Sequence, residues 1–177
     1  VLAGGKSQRM GTNKALLSWG DGTLLDHMKR TIGAVANTVQ VVGFDGLQDR
    51  HPDRGPVEGI ATGLATTTTV NNLFVAVDLP YIETEFLKYF ISTMHNSETG
   101  IVRCTIADQT PLCLGIESKL CIGIDHYLEA GARSVHGLFH TIAHDTISEE
   151  QLIAAGFSAG LFKNINTPND YSQAQDS

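Results

Sequence analysis

Val1-Leu2-Ala3-Gly4-Gly5-Lys6-Ser7-Gln8-Arg9-Met10-Gly11, with Lys14 three residues further on, is the stretch on which the reading of this chain turns. Val1, Leu2 and Ala3 read as the end of a strand whose start lies upstream. The paired glycines then make a turn whose bare backbone N–H groups can approach phosphate oxygens. Arg9 offers a planar fork to two oxygens and Lys14 a mobile point charge. Lys6, Arg9 and Lys14 fall within the first fourteen residues, and no acid does. Two familiar phosphate loops do not fit. Gly4, Gly5 and Gly11 have the wrong spacing for GxGxxG, and the first glycine of a Walker loop ending in Gly5-Lys6-Ser7 would precede Val1. A generic glycine turn carrying surface cations is the competing reading.

Composition narrows the class of protein. Hydrophobic residues make up 42% and charged residues 18% of the chain, which fits a folded globular protein and not a disordered one. A net charge of −7 disfavours broad binding to nucleic acid, so the local excess of cations at the start points to a small anion instead. Apolar runs such as Phe74–Val77 are strand-sized and fall far short of the roughly 18 residues of a membrane span. Gly4, Gly5 and Lys6 interrupt the first apolar residues, which argues against a secretory leader. Cys104, Cys113 and Cys121 are odd in number and lack a CxxC spacing, as expected of buried thiols in a reducing cytoplasm. Residues 1–171 fit one domain, and 172–177 read as a polar tail that frays.

Outward from the glycine turn, strand and helix signals alternate. β-rich apolar runs occur at Val39–Phe44, Leu73–Leu79, Gly100–Thr105, Leu112–Glu117 and Leu161–Ile165. Helical period links Leu24, Leu25, Met28, Ile32 and Val35. It also links Phe86, Leu87, Phe90, Ile91 and Met94, and again Val135, Leu138, Phe139 and Ile142. Nearly continuous apolar strands between amphipathic helices imply an α/β fold with a largely parallel sheet covered on both faces. Ligands bind at the carboxyl edge of such a sheet, and Asp78 sits at that edge, since Pro80 stops its strand. His136, His140 and His144 are spaced by four, but no HExxH accompanies them. Asp145-Thr146-Ile147 reads as the next strand, which takes His144 off the helix and argues against a metal site.

Four ordered segments carry a resemblance. LAGGxSxRMGxxK, at Leu2 to Lys14, resembles the signature loop of the molybdenum cofactor guanylyltransferases, or molybdopterin-guanine dinucleotide synthases. Gly55-Pro56-Val57-Glu58-Gly59-Ile60 resembles that family's GPLxGI, Asp78-Leu79-Pro80 its DxP, and Asn164-Ile165-Asn166-Thr167-Pro168-Asn169-Asp170 its NxNTPxD. Gly131–Val135 resembles a weaker element, so the likeness runs from Val1 to about Tyr171.

The resemblance implies a three-layer αβα Rossmann-like nucleotidyltransferase fold. It implies transfer of GMP from GTP to the phosphate of molybdopterin in the cytoplasm, with release of pyrophosphate. Arg9, Lys14 and Asp78 would be catalytic, with Mg²⁺ on Asp78. GTP would be bound by Leu2, Ala3, Gly4, Gly5, Ser7, Arg9 and Lys14, and by Asp49, Gly55, Pro56 and Asp78. Asn164 and Asn166 would face the acceptor, although turn-making ahead of Pro168 explains them as well. A second acid is expected before GPLxGI; Asp49 and Asp53 both qualify, and Asp49 is preferred. Transient contact with proteins that deliver or receive the cofactor is a further implication. The chain departs from the pattern at Gly43, where the family often has Asn, and at Val57 and Glu58, which replace Leu and a small residue. Cytidylyltransferases acting on the same cofactor show LAAG, DQP and DxDTP, which this chain lacks. A non-catalytic GTP- or cofactor-binding protein is the other alternative, and retention of Arg9, Lys14 and Asp78 together argues against it.

Overall fold

A computed structural model describes residues 1–4, 13–51 and 54–175. Lys14–Leu16 form a 3₁₀ turn capped by the Asn13 side chain, and a small hairpin follows, β1 (Ser18–Trp19) and β2 (Gly22–Thr23). Thr23 also caps helix α1 (Leu24–Gly33): its hydroxyl accepts from the Asp26 amide, and the Asp26 carboxylate accepts from the Thr23 amide. Helix α2 (Pro56–Thr66) starts on proline after Gly55, whose φ of 79° lies in the region glycine enters without strain. The chain continues through β3 (Asn71–Val75), α3 (Thr84–His95), β4 (Ile101–Cys104), β5 (Cys113–Glu117) and α4 (Cys121–Glu129). Short α5 (Val135–Leu138), β6 (Asp145–Ile147), α6 (Glu149–Ala154) and α7 (Pro168–Gln175) complete it.

The sheet runs β3-β5-β4-β6, and Leu2 extends it beyond β3 through parallel bridges to Ala76 and Val42. Adjacent residues of one strand feed opposite cores, as the pleat requires. Val75, Val102 and Cys113 pack with α1 and α3, whereas Phe74, Ile101 and Leu114 pack with α2 and α4. The expected three layers are therefore present. The sheet is mixed, because β5 pairs antiparallel with both β3 and β4. The link from β4 to β5 is a tight turn in which Ile106 and Gln109 exchange backbone hydrogen bonds, too short for a parallel crossover.

Other expectations need correcting. Of Val39–Phe44 only Val42 pairs with strand neighbours, since Gly43 turns away at φ 98°. Leu161–Ile165 is not a strand: Ser158 caps a 3₁₀ turn at Ala159–Phe162, and its apolar residues reach the core from that turn. The helix around Val135 ends at Leu138, although Leu138 and Phe139 are buried as their spacing suggested. His144 is off that helix, just before β6. Residues from Ser172, expected to fray, continue α7 to Gln175, where Tyr171 and Gln175 both donate to the Ser18 carbonyl. No helix among the described residues is long and apolar enough to cross a membrane.

Candidate active site

A cleft of about 670 Å³ opens at the carboxyl edge of the sheet, where Leu2, Ala76 and Val42 lie side by side. Strand pairing sets its floor: Val77 N–H donates to the Leu2 carbonyl at 3.0 Å, which leaves Asp78 at the lip beside Gly4. The Asp78 carbonyl accepts from Ile165 N–H at 3.0 Å, tying the Lys163–Asn166 segment to the same lip. Lys14 reaches in from its 3₁₀ turn. Its ammonium donates to Asp78 Oδ2 at 2.8 Å and to Asn166 Oδ1 at 2.6 Å. Both members of the ion pair are largely shielded, with side chains 17% and 21% exposed, so the attraction is screened less than at an open surface.

Asp49 enters from the opposite wall, against Gly4 and Gly59. A Cβ on either glycine would lie 3.6 Å from its carboxylate. Its Oδ1 is buried with no hydrogen-bond partner among the described residues. Burial, and then the neighbouring Glu58 charge, raise its pKa above the usual carboxylate value. A carboxylate oxygen in that state is poised to accept an N–H or O–H from a ligand.

Most of the expected residues thus meet. Leu2, Ala3, Gly4, Lys14 and Asp78 line the cleft, as do Asp49, Gly55, Pro56 and Asn164; Asn166 joins through Lys14. Asp49 lines the cleft, while Asp53, the other acid considered, and Gly5, Ser7 and Arg9 lie outside the described residues. Gly43 acquires a reason. A Cβ there would come within 2.5 Å of the Gly4 backbone, so a glycine at 43 lets the Ala3–Gly4 backbone lie where it does.

Two features of the cleft were not foreseen. Lys163 lines it, and so do Gln109 and Thr110 of the β4–β5 turn. Ala107 and Asp108 at that turn have φ of 45° and 61°, a type I′ geometry usually made by Asn-Gly. Without that dipeptide the sequence gives no hairpin signal. The turn is held by Arg103, which donates to Thr110 Oγ1 at 2.8 Å, and by Glu149, which accepts from Ala107 N–H at 3.0 Å.

Away from the cleft, His136 and His140 touch through their Nε2 atoms at 2.9 Å, and no group of three or more potential metal ligands occurs among the described residues. All three cysteines are free thiols, Cys104 and Cys113 buried and Cys121 half-buried.

A three-layer α/β sheet with a lysine and a carboxylate meeting beside Gly4 at its carboxyl edge is an arrangement suited to nucleotidyl transfer. The comparisons with known proteins agree. The family described as the MobA-like NTP transferase domain matches residues 1–147, and the chain belongs to that family. It is 33% identical to the molybdenum cofactor guanylyltransferase of Xanthomonas euvesicatoria, over 98% of this chain and 91% of the relative. It is 30% identical to that of Syntrophotalea carbinolica, over 98% and 88%. Among solved structures, molybdopterin-guanine dinucleotide biosynthesis protein A of Archaeoglobus fulgidus superposes with a TM-score of 0.81 at 18% identity, covering 99% of this chain and 95% of that one. Rv0371c of Mycobacterium tuberculosis, solved in complex with manganese, superposes at 0.67 and 16% identity, covering 99% and 96%.

Proposed function

We propose that this chain transfers GMP from GTP to the terminal phosphate of molybdopterin, releasing pyrophosphate and forming the guanine dinucleotide cofactor in the cytoplasm. The full-length likeness to molybdenum cofactor guanylyltransferases supports the substrates. The observation that carries the site is the cluster of Lys14, Asp78 and Asn166 at the mouth of the cleft, next to the glycine turn. We take residues 1–171 as a single catalytic domain.

In this reading the acceptor's phosphate oxygen attacks the α-phosphorus of GTP in line. A new P–O bond forms there, and the bond to the α,β-bridging oxygen breaks, with its electron pair leaving on pyrophosphate. The nucleophile is already an anion, so no general base is needed, and the chain's task is positioning and neutralisation. The backbone at Leu2–Gly4 approaches the nucleotide. Lys14 leaves or shares its contacts with Asp78 and Asn166 to offset charge on the triphosphate. Asp49 accepts hydrogen bonds from the nucleotide in the dry wall of the cleft, and Asn164 and Asn166 orient the acceptor.

The oxygens of Asp78 and Asn166 already surround one cation, the Lys14 ammonium, and they suit a hard divalent ion equally well. Such ions are held by one or two carboxylates when phosphates supply the remaining ligands. Mg²⁺ held by Asp78 would supply Lewis-acid neutralisation of the triphosphate.

The test is pyrophosphate release with Mg²⁺ and molybdopterin, comparing GTP with CTP, ATP and UTP. Selectivity for GTP is expected. Preference for CTP would retain the mechanism and overturn the base, and binding of GTP without release would favour a non-catalytic protein.

A further inference from the structure

Glu58 is a charged residue with no exposed surface, on a helix whose other inward positions are apolar or small. A buried carboxylate is costly unless paired, so what pairs it is informative. Its Oε1 lies 3.2 Å from His51 Nδ1 and 3.5 Å from Arg50 Nε. One turn along the same face of α2, Thr62 Oγ1 accepts from the Arg50 amide at 3.3 Å. The far end of Arg50 donates to Asp125 Oδ1 on α4 at 2.6 Å. Residues 50 and 51 are thereby held at the backbone, at two nitrogens of one guanidinium and at the ring of the next residue. No helix or strand includes this segment, so these contacts take over the holding that regular structure does elsewhere.

The residue immediately before the clamp is Asp49. Its carboxylate lies over Gly59, the neighbour of Glu58, with one oxygen buried and unpartnered. We propose that Glu58 is a positioning residue, whose clamp on Arg50 and His51 fixes Asp49 in the nucleotide half of the cleft and so sets affinity for GTP. The inference rests on the reading of Asp49 as a GTP ligand. Burial first, and the Glu58 charge second, raise the Asp49 pKa, in keeping with the closeness of the two side chains along α2. Lys14 and Asp78 lie outside the clamp, so binding should suffer while the chemical step does not.

The experiment measures KM for GTP, kcat and calorimetric GTP binding in wild type, Glu58→Ala, Glu58→Gln and Asp125→Asn, each checked for folding by its melting curve. Glu58→Ala should raise KM and Kd about tenfold with kcat within about twofold, as loss of uniform binding does. Glu58→Gln keeps an acceptor for Arg50 and His51 and should recover part of the loss. Asp125→Asn weakens only the outer anchor and should move KM the same way by less. A folded Glu58→Ala protein with wild-type KM overturns the proposal, and so does a folded one in which kcat falls as far as GTP affinity. Should Glu58→Ala not fold, unchanged KM in both other variants overturns it. If wild type releases no pyrophosphate, the assigned activity fails separately, and calorimetric GTP affinity still decides the clamp.

Discussion

Single residues divide this cleft into charges that act and atoms that must be absent. Lys14 and Asp78 belong to the first kind. Lys14→Ala should lower kcat/KM for GTP by about 10²–10³, the cost of losing a preorganised charge facing the phosphates. Its melting point should fall by only a few degrees, because the pair sits at the lip of the cleft, where water can reach the Asp78 carboxylate once Lys14 is gone. Near-normal turnover in a folded Lys14→Ala protein would remove Lys14 from the mechanism. Gly43 belongs to the second kind. Gly43→Asn installs the residue that the family resemblance implies there, yet it places a Cβ within 2.5 Å of Gly4 at a φ of 98°. It should destabilise the protein by about 1–3 kcal/mol, the range for local backbone strain, and raise KM for GTP. Improved GTP binding in Gly43→Asn would show that the glycine turn is not what Gly43 protects. At this scale much could be read in the sequence. An acid that ends an apolar strand and a lysine behind a glycine loop announce themselves by position, and the structure unites them. Lys163 is not legible, because the apolar pattern of its segment reads as a strand and nothing local marks a cleft-lining lysine. Glu58 showed only as a departure, since its partners lie in a loop and on another helix.

Elements were legible where one period dominated. The buried positions of α1 (Leu24, Leu25, Met28 and Ile32) follow the 3.6-residue spacing, and α3 repeats this with Phe86, Leu87, Phe90 and Met94. Apolar runs at β3, β4 and β5 were found, but their direction was not, because direction depends on the connection. The reversal of β5 follows from the tight turn at Ala107-Asp108, whose two positive φ values no glycine or asparagine announces. That turn carries a testable cost. Replacing it with Ala107→Asn and Asp108→Gly supplies the dipeptide its geometry favours and should raise stability by about 1 kcal/mol. Chemical denaturation measures the gain. GTP affinity should change little even though Ala107 lines the cleft, because Arg103 still holds Thr110 and with it the wall of the turn. A loss of stability would mean that the side chains of Ala107 and Asp108 contribute more than the strain they impose.

The whole molecule makes the cleft, since segments near Leu2, Asp49, Asp78, Gln109 and Lys163 meet only when the sheet is assembled. Ligand binding should therefore report on global stability, and the cysteines supply the gauge. Cys104 and Cys113 sit in adjacent strands of the core. Burial pushes the Cys104 thiol up to about 12 and Cys113 well above its ordinary value, so neither reacts while folded. Cys121, half-buried at the head of α4, is open to reagent without unfolding, although burial and then Asp125 raise its pKa as well. Alkylation followed by mass spectrometry should thus show Cys121 labelled first, with Cys104 and Cys113 labelled together at the rate set by global opening. Adding Mg-GTP at about 100 times its Kd stabilises the folded state by about 2.7 kcal/mol, which should slow the two core cysteines about 100-fold. The Cys121 rate should not change. Core labelling as fast as that of Cys121 would mean the sheet opens locally, and core labelling indifferent to saturating GTP would mean the nucleotide does not bind across the assembled strand edge.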